Sequence, residues 1–126
     1  MIEIAAIISC AILAGLTIFQ LALIFGAPIG RYAWGGAHAV LPANLKVGSG
    51  VSILLYGLFA VIILTKAGVI APFSNLAVAS IGIWVLAVYF CIGVAINGIS
   101  RSKPERNLMT PVALILAILT LFVAMN

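Results

Sequence analysis

Charge is what this chain most lacks. Of 126 residues, six are Lys or Arg and two are Asp or Glu, so 6% are charged. A soluble domain carries about a quarter. So few charges cannot cover a water-facing surface, which excludes a soluble globular protein. The two acidic residues, Glu3 and Glu105, stand far apart in the chain and form no paired-carboxylate motif. One histidine and two cysteines cannot close a tetrahedral metal site, so no metal is expected. There is no phosphate-binding Gly-rich loop and no Gly-x-Ser-x-Gly, so no cofactor is expected and no catalytic residue is assigned. The net charge of +4 comes from basic residues dispersed between apolar runs, which excludes a nucleic-acid footprint and fits topology signals.

What is present is hydrocarbon. The chain is 66% apolar, with a mean hydropathy of +1.40. Charge-free runs cover residues 4–30, 47–65, 67–100 and 107–126, and a membrane span needs about 20 apolar residues. The expected fold is all-α: one membrane domain, a transmembrane four-helix bundle with helices near 4–25, 43–66, 75–99 and 103–126. The first run is too long, and its early charge is Glu3 rather than a basic group, so it is not expected to be a cleaved signal peptide.

Helix boundaries follow from glycine, proline and capping residues. Gly26 and Pro28 end the first helix, and Pro42 with Asn44 as cap begins the second. Gly68 and Pro72 mark the second loop, and Ser74 or Asn75 caps helix three. Ser102-Lys103-Pro104-Glu105 is a capping box, in which the glutamate returns to the cap amide. A helix from Lys103 would span about 36 Å, against a rival start at Pro111 that is short for a bilayer. With the earlier start, Pro111 bends the helix and frees the carbonyl of Asn107.

Every basic residue except Lys66 falls in the first or third loop. By the positive-inside rule those loops are cytoplasmic and both termini extracytoplasmic. So strong a bias excludes the dual topology of small exporters that insert both ways. Glu3 is expected at the outer edge of the first span and Glu105 in the third loop, leaving no ionisable group in the interior and arguing against proton-driven transport.

Within the spans, Gln20, Ser49 and Ser52 are expected as polar glue between helices. Ser9 and Gln20, about three turns apart, share a stripe. Ala11/Gly15 and Gly48/Ser52 are small-xxx-small pairs that permit close packing, inside the bundle or between copies in a homo-oligomer. Trp84, Tyr89 and Phe90 read as cavity lining or as packing. Cys10 and Cys91 would lie about 10–15 Å apart in depth, too far for a disulfide, and read as buried hydrophobes.

The first loop, residues 26–46, is the richest segment. It holds Gly26, Gly30, Gly35 and Gly36, the lone His38, and interface-suited Tyr32 and Trp34. Glycine-rich backbone can turn amides toward an anion, and the starts of helices two and four point their positive ends to the same side. The expected ligand-binding residues are Arg31, Gly35, Gly36, His38, Lys46, Asn97, Arg101 and Arg106. The expected partners are the bilayer and an anionic lipid or small anion. The loop is expected to fold back onto the basic third loop.

The pattern Gly26-x-Pro28-x-Gly30 with Gly35-Gly36, then Leu41-Pro42, Lys46 and Ser49, resembles a family of small four-helix bacterial integral membrane proteins of unknown function. Asn97, Ser100, Ser102, Glu105 and Arg106 extend the likeness over essentially the whole chain. Arg31 stands where that family carries either charge. The resemblance implies a bacterial inner-membrane protein and no particular activity. Three roles follow in order: binding or passage of a small or lipidic anion at the cytoplasmic face, a structural subunit of a membrane complex, and a small enzyme on a lipophilic substrate.

Overall fold

A computed structural model describes residues 1–71 and 76–126. Among the described residues, besides two short 3-10 turns in the first loop, the bundle is built of α1 (Ile2–Ile24), α2 (Ala43–Lys66), α3 (Leu76–Gly98) and α4 (Lys103–Met125). Each is long and apolar enough to cross a membrane. At 1.5 Å per residue they are about 35 Å long, matching a hydrocarbon core of about 30 Å with modest tilt. In the ring, α1 packs on α2, α2 on α3, α3 on α4 and α4 on α1.

Helix ends follow local chemistry. After α1, the Gly26 amide bonds the carbonyl of Leu23 and the Ala27 amide that of Ala22, with Gly26 at φ +91°. This is a Schellman cap, which needs a left-handed residue where Gly26 stands. Gly68 (φ +80°) repeats it after α2, with Gly68 bonded to Thr65 and Val69 to Leu64. The expected Asn44 cap is corrected. Pro42 occupies the cap position without a side-chain bond, and Asn44 lies inside the first turn, because proline's fixed φ suits the extended entry. The positions of Pro72, Ser74 and Asn75 lie outside the described residues.

α4 begins at Lys103 and continues unbroken through Pro111. Ser102 Oγ accepts the amide of Glu105 at 3.4 Å. The return arm differs from the expected box. The Ser102 amide donates instead to Ser100 Oγ at 3.2 Å, and Glu105 accepts the Ser100 hydroxyl at 3.0 Å. Ser100 is nearer than the glutamate and captures the cap amide.

The half of the bundle nearer the termini is solidly packed by Leu13, Ile63, Ile83, Leu116 and Val123. Most other large apolar side chains, among them Ile18, Leu54, Trp84 and Ile118, face outward. On a soluble protein such a surface would aggregate, and against lipid it is solvated. Cys10 and Cys91 are both free. Cys91 is exposed on this outer surface rather than buried as expected, because α3 turns its Phe90 side, and not its Cys91 side, to the core.

The small-residue pairs do not bring helices of the bundle together. Ala11 is exposed, and a Cβ on Gly15 would meet nothing within 4 Å, so neither packs inside the bundle. Gly48 receives a tryptophan from the first loop instead of another helix.

Candidate functional site: a lateral cavity under the first loop

Most buried hydroxyls in the spans satisfy themselves. Ser9 donates to Ala5, Ser52 to Gly48, Thr65 to Val61 and Thr120 to Leu116, each to a carbonyl one turn back. Ser52, expected to bond another helix, bonds its own. Gln20 is different because its side chain points across the bundle. Its Nε2 donates to Tyr56 Oη on α2 at 3.5 Å. Its Oε1 is buried without a hydrogen-bond partner among the described residues.

The first loop is ordered by its glycines. The amide of Gly30 donates to the carbonyl of Ala39 at 2.8 Å and closes the segment on itself. A side chain at Gly30 would strike the carbonyls of His38 and Ala39. Trp34, Gly35 and Gly36 all have left-handed φ, at 53°, 77° and 75°. Two of those positions are cheap only for glycine. The third forces a tryptophan into a conformation costing about 1–2 kcal/mol. What holds it there is α2. The Trp34 indole lies across Gly48 and donates Nε1 to Ser49 Oγ at 3.3 Å.

The loop then folds onto the start of α4, as its composition leads one to expect. Gly36 seats against the Ser102 side chain, and Ser102 Oγ donates to the carbonyl of Arg31. Serine 102 thus caps a helix and pins the loop.

Beneath the loop lies a cavity of about 450 Å³. Phe19 and Gln20 of α1, and Ser52 and Tyr56 of α2, form one side. Phe90, Gly93 and Asn97 of α3, with Glu105, Met109 and Ala113 of α4, form the other. Trp34 and Gly35 roof it. The walls are mostly apolar. Tyr56, Phe59, Tyr89 and Phe90 make a contiguous aromatic cluster with centroid spacings of 5.2–6.4 Å. Toward the termini the packed core closes the cavity. Trp34, Tyr89, Ile92 and Ile96 line it yet are also exposed on the outer surface. The opening is therefore sideways, between the loop and α3.

Two of the expected ligand-binding residues line this cavity, Gly35 and Asn97. The Asn97 amide donates back to Gly93 at 2.8 Å. Gly36 serves the loop's seat on Ser102. Arg31, His38, Arg101 and Arg106 are exposed outside it, and Lys46 is half-buried on the first turn of α2. Arg106 donates to the Ser100 carbonyl at 3.3 Å. A more open cleft of about 410 Å³ lies outside, lined by Tyr32, Lys103, Pro104, Asn107 and Leu108.

The sequence places Glu105 in the third loop. It is 8% exposed and lines the cavity. The capping role drew attention away from it, and only the inward turn of its carboxylate reveals a second use. Among the described residues the carboxylate receives one hydrogen bond, from Ser100, and no ion pair. No cluster of metal-ligating side chains occurs among the described residues. Comparison with protein-family models, curated proteins and solved structures finds no match.

Proposed function

We propose that this protein binds a lipid-derived amphiphile that enters sideways from the bilayer. The observation that carries this reading is the cavity itself: apolar-walled, closed toward the termini, and open where Trp34, Ile92 and Ile96 meet the lipid-facing surface. A closed end favours binding over passage through the bundle.

The basic loops support the orientation drawn from the positive-inside rule, with loops one and three in the cytoplasm and both termini outside. Arg31, Arg101, Lys103 and Arg106 are exposed at the loop end and suit the anionic inner leaflet of a bacterial cytoplasmic membrane. The Tyr32–Lys103–Asn107 cleft would hold an anionic headgroup there, while the cavity takes the apolar body.

The test is ligand-dependent thermal stability of the full chain in mild detergent, against single-chain lipids of varied headgroup. Stabilisation is expected, and Gly93→Leu should abolish it. A Cβ on Gly93 meets only Ala113, at 3.9 Å, so a larger side chain fills the cavity without breaking the bundle. If Gly93→Leu binds as the natural chain does, the cavity is not the site.

A further inference from the structure

Glu105 poses a physical problem that its place in a capping box does not resolve. A carboxylate in the first turn of a helix is favoured by the helix dipole. In a capping box it would turn to the cap amide, but that amide is taken by Ser100 Oγ. The side chain instead turns inward, 92% buried by its 8% exposure, with the Ser100 hydroxyl as its partner. A buried carboxylate without a cation is costly unless something completes it.

Two further features face the same space. Gln20 is 7% exposed and lines the cavity, and among the described residues its buried Oε1 has no hydrogen-bond partner. Tyr56, Tyr89, Phe90 and Trp34 supply aromatic surface around it. No Lys, Arg or His lines this cavity among the described residues. A carboxylate and aromatic ring faces are both complementary to one kind of group: positively charged and weakly hydrated.

We infer that the cavity selects an amphiphile bearing an organic ammonium group, held against Glu105 and the aromatic wall with its apolar part toward Leu116. This inference rests on the cavity-binding reading above and deepens it. The ammonium supplies the charge that Glu105 lacks. The sideways mouth lets such a ligand arrive through lipid and bypass the repulsive basic rim. An aminolipid headgroup and a free lipophilic amine share this chemistry. An amine lipid that also carries phosphate could meet Lys103 outside as its ammonium meets Glu105 within.

The experiment uses the full chain in dodecylmaltoside with Trp84→Phe, which leaves Trp34, at the cavity roof, as the reporting fluorophore. Octyltrimethylammonium, octanol and octyl sulfate are titrated as matched probes. The ammonium should bind about tenfold more tightly than octanol, and octyl sulfate more weakly than either. Glu105→Gln keeps the side chain's size and a polar partner for Ser100, and should erase the preference while octanol binding stays unchanged. Lysophosphatidylethanolamine against lysophosphatidylglycerol separates the sources. Preference for the ethanolamine lipid assigns a lipid headgroup, and an advantage limited to octyltrimethylammonium assigns a free amine. If octanol and octyl sulfate bind as tightly as the ammonium, or Glu105→Gln keeps the preference, the inference is overturned and the cavity reading stands. If none of the probes binds, both fall.

Discussion

Trp34 and Gly48 show how much a single missing side chain decides. A Cβ at position 48 would lie 2.8 Å from one indole carbon of Trp34 and 2.9 Å from another. The ring would have to leave both Gly48 and Ser49, the α2 residues against which it sits. Gly48→Ala should therefore cost about 1–3 kcal/mol from overpacking, offset in part by about 1 kcal/mol of helix propensity. In a Trp84→Phe background its Trp34 emission should shift. Gly50→Ala is the control, since a Cβ there meets nothing within 4 Å. It should leave the emission unchanged and stabilise by about 0.5–1 kcal/mol. Equal behaviour of the two variants in thermal melts would mean that the Trp34 seat carries no energy.

At the scale of elements, the first loop behaves as a structured part of the bundle. It is closed by the Gly30–Ala39 bond, roofed onto α2 by Trp34 and pinned to α4 by Ser102. Gly36→Ala adds a side chain where φ is +75° and where Ser102 already sits. The loop should detach, and trypsin should then cut after Arg31 faster than in the natural chain. Ser102→Ala removes the cap and the pin together and should lose about 1–2 kcal/mol. Its loop should remain less accessible to trypsin than in Gly36→Ala, because Trp34 still holds. The sequence announced this loop through its glycines and its lone histidine, but not their division of labour. Gly35 and Gly36 have conformational reasons that no spacing rule displays. His38 contributes its carbonyl's closeness to Gly30, and its ring is left exposed.

For the whole molecule, the testable matter is orientation. Cys10 and Cys91 are free, so replacing both with alanine should leave the fold intact, and reducing agents should not change the stability of the natural chain. In that background, a single cysteine at His38 should be labelled by an impermeant reagent only after the cytoplasmic side is opened. One at Asn126 should be labelled from outside intact cells. The reverse pattern would place the cavity's loop end in the outer leaflet and remove the support that the basic rim lends to the binding reading.

The sequence by itself determined that the chain is four long apolar helices, and where they turn. Charge scarcity, run length, Gly26, Gly68 and Ser102 act locally, and local physics is legible one segment at a time. It also supplied Asn97 and Gln20 as polar residues in apolar surroundings, and Gly35 as part of a glycine-rich loop. Only the tertiary structure decided which of them meet. That Gln20 reaches Tyr56, that Gly48 makes room for Trp34, and that Glu105 turns into a cavity rather than to its cap amide all depend on neighbours from other helices. A membrane span is apolar on every side, so no hydrophobic stripe marks which face will be inward. The basic residues dominated the sequence because charge is rare in it. The fold leaves most of them on the outside because a cation is costly to bury without a partner. Glu105 lies inside, where the bundle leaves room for a partner.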